Sequence, residues 1–239
     1  MWRLRQVLLL LLSFSLAQTD PLQRQNPCPN GAIPHSRRYM AALLDYQNNR
    51  ICGGFLVGQQ WVMTSARCRN VDMVVLGAHD LKHDGETYRV DKNYPHKDYT
   101  FKNNTFSNDI HLLKLQSKVH LNENISILPL PTSSRDLSER THCTVAGWSP
   151  NQEDCPYMLY EANASIYDRR KCQKFYPKID RGKICAGRQT QSFRQGEMGD
   201  PLVCNGVAHG ILSYSNPCPP AVYTRIAQYL PWIKKTMAK

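Results

Sequence analysis

The chain has 239 residues, of which 41% are hydrophobic, enough for one globular unit or two small fused domains with a packed core. We find no low-complexity segment and no internal repeat, which excludes a disordered or repeat-built chain. Its 30 lysines and arginines outnumber 19 acidic residues, giving a formal net charge of +11 at pH 7. Such an excess favours polyanionic partners, namely glycosaminoglycans, nucleic acid or anionic membranes, although a generally solvated basic surface has the same composition.

The N-terminus has the pattern of a cleaved secretory signal. Arg3 and Arg5 precede a short apolar run, and the small residues Ser15 and Ala17 have the spacing that a signal peptidase needs. We therefore expect residues 1–17 to be a signal peptide, which leaves Gln18 as the first mature residue. A transmembrane anchor is the alternative, but the apolar run is well short of the roughly 20 residues that span a bilayer. We therefore predict a protein that is secreted to the extracellular space, or stored in granules before release, and that has no membrane span.

The rest of the chain has the pattern of an all-β protein. Short apolar or alternating runs are bounded by Gly, Asn, Asp, Pro and Ser, a spacing that predicts a sandwich or barrel. In chain order the runs are 40–44, 55–57, 61–64, 73–76, 110–115, 125–130, 143–148, 202–204, 210–214 and 221–226. Only residues 227–235 have a helical pattern, in which Pro231 is tolerable only in a first turn. We therefore expect a short C-terminal helix.

Cysteines and glycosylation sequons agree with secretion. Nine cysteines fit an oxidising compartment, and the odd number leaves at least one thiol free or bonded to another chain. Three Asn-x-Ser/Thr sequons predict surface positions that can carry glycans: Asn103, Asn124 and Asn163.

One motif resembles a nucleophile segment. Residues 196–204, GEMGDPLVC, resemble the Gly-Asp-Ser-Gly-Gly-Pro-Leu motif of trypsin-like serine proteases. From Pro34 to the end the chain resembles this chymotrypsin/trypsin family, and most of all its granzyme and azurocidin branch. The matching motifs, in family order, are PHSRRYMA from Pro34, CGGFL from Cys52, WVMTSARC from Trp61, VLGAHDL from Val75, NDIHLL from Asn108, VAGW from Val145 and PAVYT from Pro220.

The resemblance implies an architecture and a set of disulfides. It implies two packed antiparallel six-stranded β-barrels, residues 34–125 and 126–239, with the site in the cleft between them. The implied disulfides are Cys52–Cys68, Cys143–Cys204 and Cys172–Cys185. Two arrangements of the other cysteines stay open: either Cys28 pairs with Cys155, or Cys155 pairs with Cys218 and Cys28 is free.

Two of the three catalytic positions implied by the resemblance hold residues that cannot do the family's chemistry. Asp109 falls at the aspartate position, but Arg67 falls at the histidine position and Met198 at the serine position. A guanidinium stays protonated near neutral pH and cannot act as a general base, and a thioether cannot form an acyl-enzyme. We therefore expect no functional catalytic residue here, and we predict an ion pair between Arg67 and Asp109.

The resemblance also implies an activation site and an oxyanion hole, and both are altered. Residues 18–33 contain no basic residue followed by Ile-Val-Gly-Gly, so the usual zymogen switch cannot operate. Glu197 stands where the family has the aspartate that receives the new N-terminus, and Asp200 stands where it has a small glycine.

Basic residues cluster in three segments. In several family members the corresponding segments lie side by side and form an exosite for heparin-like chains, and such a cluster binds through many salt-sensitive contacts. A solvated charge run that contacts nothing would have the same sequence. The candidate binding residues are Arg169, Arg170, Lys171, Lys174, Lys178, Arg181, Lys183 and Arg188, with Lys234, Lys235 and Lys239 at the end and Lys92, His96, Lys97 and Lys102 in the first half.

Together these features predict a secreted protease homologue, a pseudoprotease, that acts by binding. The expected partners are heparan sulfate and related glycosaminoglycans, or anionic microbial and cell surfaces. Two alternatives stay open: a weak or conditional serine-type endopeptidase, and a non-catalytic partner or decoy that binds a protease or an inhibitor through the cleft. No zinc spacing or recognition helix points to sequence-specific nucleic-acid binding, and no motif points to a cofactor or metal.

Overall fold

The computed structural model describes residues 31–103, 105–148, 157–187, 198–215 and 220–239. No helix in these ranges is long and apolar enough to cross a bilayer. Several features discussed above lie outside the described residues: the signal at 1–17, positions 18–30, Cys28, Cys155, Cys218, Arg188, Gly196 and Glu197.

Six strands of the first half close into an antiparallel barrel in the order β1-β2-β3-β8-β5-β4. Its strands are β1 (Met40–Leu44), β2 (Arg50–Gly58), β3 (Trp61–Thr64), β4 (Met73–Leu76), β5 (Glu86–Pro95) and β8 (His111–Leu115). The run WVMT in β3 is buried along its whole length because its two faces pack into two cores. Val62 faces the interior of this barrel, whereas Trp61 and Met63 face the seam with the second barrel.

Six strands of the second half close into another antiparallel barrel in the order β10-β11-β14-β13-β12-β9. Its strands are β9 (His142–Trp148), β10 (Leu159–Tyr167), β11 (Lys183–Gly187), β12 (Pro201–Cys204), β13 (Val207–Ser215) and β14 (Ala221–Arg225). Leu202, Leu212 and Tyr223 are among the residues that fill its interior. The predicted pair of six-stranded antiparallel barrels is confirmed.

A shared apolar cluster holds the two barrels together. It contains Phe55 and Leu112 from the first barrel, Val203 and Ile211 from the second, and Ile233 from the C-terminal helix. Each of these side chains is at most 9% exposed, so the seam is buried like a domain interior. The cleft above this seam therefore has fixed walls.

The three implied disulfides are confirmed: Cys52–Cys68, Cys143–Cys204 and Cys172–Cys185. The first joins β2 to the turn that follows β3, so it fixes the backbone next to Arg67. The second joins β9 to β12 within the second barrel.

The helices differ in part from the sequence prediction. The C-terminal segment forms one 3-10 turn at Ile226–Tyr229 and then the helix α2 (Leu230–Met237), with Pro231 in its first turn as expected. A second helix, α1 (Arg169–Cys172), was not predicted. It is only four residues long, and it forms because the Asp168 side chain accepts hydrogen bonds from the first free backbone N–H groups.

The sequence patterns also missed a hairpin beside the cleft. It consists of β6 (Thr100–Lys102) and β7 (Thr105–Ser107), each three residues long. Strands this short show no periodicity, and the register pairs Lys102 with Thr105, so only two positions connect them. Phe101 and Phe106 face each other across the hairpin, with ring centroids 4.4 Å apart.

A buried histidine in β8 makes the stability of the fold depend on pH. His111 is 3% exposed, its Nδ1 lies 3.2 Å from the Cys68 carbonyl oxygen, and burial lowers its pKa from 6.5 to about 4. Because the unfolded chain takes up this proton near pH 6.5 and the folded chain only near pH 4, folding loses stability as the pH falls through this window. The loss between pH 7 and pH 4 is about 3 kcal/mol for this residue.

We expect His111→Gln to lose about 3 kcal/mol less of its unfolding free energy than the wild type between pH 7 and pH 4. Urea denaturation at the two pH values measures the difference. The exposed His120 provides the matched control, since His120→Gln should keep the wild-type pH dependence. If both variants follow the wild type, His111 does not carry the effect.

Candidate functional site

Asp109 lies in the seam just before β8, is 1% exposed, and receives hydrogen bonds from both barrels. From the first barrel, Ser65 Oγ donates to its Oδ1 at 2.6 Å and the backbone N–H of Arg67 donates to the same oxygen at 3.2 Å. From the second barrel, Ser213 Oγ donates to Oδ2, and Thr224 Oγ1 donates to the Asp109 backbone carbonyl at 2.8 Å. A single residue thus ties the turn after β3 to β13 and β14.

The electrostatics of Asp109 are set by its burial. Removal from water raises the pKa of this carboxyl, and the hydrogen bonds from Ser213 and Ser65 together with the charge of Arg67 oppose that rise. Because the folded pKa lies above the unfolded value, the ionised carboxylate costs stability at neutral pH. The converging donors reduce this cost, so removing one of them would leave a buried charge less well solvated.

The predicted ion pair between Arg67 and Asp109 is wrong. Arg67 Nη1 donates to the Ser213 backbone carbonyl at 2.7 Å, and the guanidinium carbon lies 4.1 Å from the centroid of the Phe106 ring. Only the backbone N–H of Arg67 reaches the carboxylate. The reason is that neutral hydroxyl and amide donors already occupy Asp109, so the guanidinium gains more from a carbonyl and an aromatic face in the partly exposed cleft.

Met198 lies half-buried beside the same turn, and its side chain packs on the apolar core of the first barrel. The Gly53 N–H donates to the Met198 carbonyl at 2.9 Å, which fixes the backbone. The next residue, Gly199, has φ +92°, and a Cβ there would lie 2.2 Å from both the Gly53 carbonyl oxygen and Thr64 Oγ1. Only glycine fits position 199, so the backbone next to Met198 is closely packed. The Met198 side chain itself has no proton to transfer.

Of three histidines with the chemistry of a general base, two contact other groups and the third is buried beside another histidine. His111 contacts the Cys68 carbonyl, as described above. His96 packs against the rings of Tyr229 and Trp232, with centroids 5.5 and 5.1 Å away. His79 is 6% exposed and lies near His35, with ring centroids 6.3 Å apart. Within the described ranges no group of three His, Cys, Asp or Glu side chains has the geometry to hold a metal ion.

Asp200, which stands where the resemblance expects glycine, is 4% exposed and lies against Gly53. A Cβ built on Gly53 would lie 1.7 Å from Asp200 Oδ1, and its three nearest heavy atoms all belong to this carboxylate. The two positions therefore share one small volume that either side chain alone can fill.

A double-mutant cycle tests this steric coupling. Gly53→Ala should destabilise the wild type by about 1–3 kcal/mol because it overpacks a buried site. The same substitution should cost less in an Asp200→Gly background, where the space is empty, with a coupling free energy of about 1 kcal/mol or more. Chemical denaturation of the four proteins measures it, and additive effects would show that the two side chains do not compete.

Most of the candidate polyanion-binding residues that the structure describes fall into two sets, and Arg170, 91% exposed with Asp168 at 4.0 Å, lies between them. One set is paired with acids: Arg169 Nη1 lies 3.0 Å from Asp136 Oδ2, and Lys171 Nζ lies 2.6 Å from Glu139 Oε1. Lys183 is 6% exposed and pairs with Asp180 at 2.9 Å. These three cations have little charge left to offer a ligand. The other set is exposed and, within the described residues, forms no ion pair closer than 4 Å: Lys174, Lys178, Arg181, Lys234 and Lys235.

The exposed cations lie on two surfaces. Arg170, whose side chain is 91% exposed, and Lys174 lie on and just after α1. Beside them a groove of about 1100 Å³ is lined by Arg140, His142 and the exposed Phe175, among others. Lys234 and Lys235 lie on α2, whose Trp232 packs against His96, the residue that precedes Lys97 in the first barrel.

The sequons differ in their surroundings. Asn103 is exposed at the turn of the β6–β7 hairpin, with φ +50°. Asn124 is half-buried in a turn, where its backbone N–H is bonded to Asn122. Asn163 is exposed on β10 and lines the groove beside α1.

The sequence reasoning missed the residues that hold Arg67. Phe106 lies on the unpredicted hairpin, and its ring contacts Tyr214 at 5.7 Å between centroids. Ser213 supplies both a hydroxyl to Asp109 and a carbonyl to Arg67. The only local sign of the hairpin was the phenylalanine on each side of the Asn-Asn pair, and no pattern pointed to this double role of Ser213.

Comparison with known proteins gives consistent matches. The profile of the family described as Trypsin matches residues 30–233. Mus musculus "Granzyme B(G,H)" is 39% identical over 249 aligned residues, covering 97% of this chain and 98% of the relative. Homo sapiens cathepsin G is 37% identical, covering 97% and 94%. The solved structure of mouse neuropsin, described as a serine protease, superposes with a TM-score of 0.79 at 37% identity, over 87% of this chain and 98% of that one.

Proposed function

Because the chain belongs to the trypsin family of serine proteases, we propose that it is a secreted member of this family that does not cut peptides and acts by binding polyanions. The single observation that supports the loss of catalysis is the set of groups around Asp109. Its carboxylate accepts from Ser65, Ser213 and the Arg67 backbone, and the Arg67 side chain turns away to Ser213 and Phe106. Arg67 stands at the position of the base and Met198 at that of the nucleophile. A guanidinium does not take up a proton and a thioether does not form an acyl-enzyme, so neither step of the family's reaction is open to them.

Labelling with a fluorophosphonate, which reacts with activated serines, tests the loss of catalysis. We expect no labelling of the wild type at concentrations that label trypsin completely. A protein with Arg67→His and Met198→Ser shows whether the remaining scaffold supports the chemistry. Wild-type labelling that disappears in Asp109→Ala would contradict the proposal and favour a weak or conditional serine-type endopeptidase.

The support for polyanion binding is the arrangement of unpaired charge. The chain has a formal net charge of +11. The exposed Lys174 lines the groove beside α1, and the exposed Lys178 follows it four residues later in the chain. A long polyanion gains affinity from many such cations through the release of its counterions, so binding is strongly salt-dependent. Heparan sulfate, other sulfated glycosaminoglycans and anionic cell surfaces share this chemistry.

Elution from immobilised heparin tests this binding with charge-matched variants. We expect the wild type to elute well above physiological salt. Lys174→Ser with Lys178→Ser, or Lys234→Ser with Lys235→Ser, should lower the eluting salt and reduce the slope of log K against log salt by about one unit for each binding cation removed. Lys82→Ser with Lys118→Ser removes the same charge from exposed positions outside both surfaces and should have little effect. Elution of the wild type near physiological salt would contradict the proposal.

A further inference from the structure

The strand β13 has an open edge where it enters the cleft. Along one side it pairs with β14 as far as Ser215. Along the other side it pairs with β12 only as far as Ile211, and the backbone of Leu212 exchanges hydrogen bonds with residues 199 and 200. From Ser213 onward, no strand in the described part of the chain pairs with this second side. An edge of this kind presents main-chain groups to any extended segment that comes close.

Ser213 is the first residue of this unpaired edge. A bulge between Leu212 and Tyr214 leaves Ser213 outside the register of β13 with β14. Its hydroxyl is used by Asp109, whereas its carbonyl oxygen faces the first barrel and accepts from Arg67 Nη1 at 2.7 Å. One lone pair of the carbonyl that an incoming strand would need is therefore already engaged, by a side chain that lies against the open edge.

Arg67 is held in this position from both sides. On one side its guanidinium bonds to Ser213, and on the other it stacks at 4.1 Å on the Phe106 ring of the β6–β7 hairpin. The Phe106 ring in turn stacks on Phe101 at 4.4 Å and contacts Tyr214, which lies on the same strand as Ser213. The side chain cannot leave the strand edge without also leaving this aromatic ring.

We propose that Arg67 caps the open edge of β13 and so closes the cleft of this protein to extended peptides. The guanidinium lies between the Ser213 carbonyl and the Phe106 ring, where a peptide added to this edge would have to pass. A peptide N–H group is an uncharged donor, and it would have to move aside a charged donor that forms the stronger hydrogen bond. The cleft is consequently occupied by the side chains of the chain itself and does not receive a partner as an added strand. This inference concerns the cleft and does not depend on the polyanion surfaces.

The variant Arg67→Ala removes the cap, and Arg69→Ala is its matched control. Arg69 is exposed, lies two residues away and contacts the Tyr99 ring with a distance of 5.8 Å to the centroid. Both substitutions remove one positive charge from the same rim of the cleft, but only the first frees the Ser213 carbonyl. Any difference between the two variants therefore reports on the cap and not on the net charge.

The experiment measures retention of a mixture of N-acetylated, C-amidated hexapeptides with randomised side chains on the three immobilised proteins, read by mass spectrometry. We expect Arg67→Ala to retain about tenfold more peptide than the wild type, the effect of one hydrogen bond to a charged group, and Arg69→Ala to match the wild type. Equal retention by the wild type and Arg67→Ala, at whatever level, overturns the proposal. So does an equal gain in both variants.

A second variant keeps the test decisive where Arg67→Ala does not fold, as judged by circular dichroism. Phe106→Leu preserves an apolar side chain but removes the ring that holds the guanidinium. We expect Phe106→Leu and Arg67→Lys each to retain more peptide than the wild type, but less than is expected for Arg67→Ala. No gain in either protein overturns the proposal. Heparin elution of Arg67→Ala should shift no more than that of Arg69→Ala, so failure of the cap and failure of polyanion binding are told apart.

Discussion

The buried carboxylate of Asp109 is the group on which the geometry of the cleft depends. It sits where the two barrels meet, and its oxygens accept donors from the turn after β3 and from β13. A charge in this position is unfavourable unless donors converge on it, so the surrounding backbone is arranged to supply them. The positions of Arg67, Ser213 and the end of β13 follow from that requirement.

In the cleft, the two positions that depart from the implied family pattern are held by packing and hydrogen bonds. Arg67 contributes a flat cation that bridges a backbone carbonyl and an aromatic ring, and Met198 contributes an apolar side chain to the core of the first barrel. The barrels accommodate both side chains, because Arg67 bonds to a backbone carbonyl and an aromatic ring and Met198 packs on apolar side chains. The two barrels therefore keep the family's fold with these residues in place.

The sequence predicted the features that depend on long ordered sets of motifs. The two barrels, the three disulfides and the position of Asp109 all came from segments such as WVMTSARC and NDIHLL, whose order along the chain limits the fold. Pairings between distant side chains were not predictable. Arg169 and Lys171 look like free cations in the sequence, but they bond to acids 33 and 32 residues away. The direction of Arg67 likewise depends on Phe106, which lies on a hairpin too short to show a pattern.

The contact between Asp200 and Gly53 has a consequence for the history of the molecule. With a carboxylate packed over Gly53, a Cβ at that position has no space, and a larger residue becomes acceptable there only after Asp200 has been replaced. The two positions are therefore epistatic, and the order in which they change is constrained. Among orthologues the two positions should covary, with a residue larger than glycine at position 53 only where Asp200 is replaced by a smaller residue.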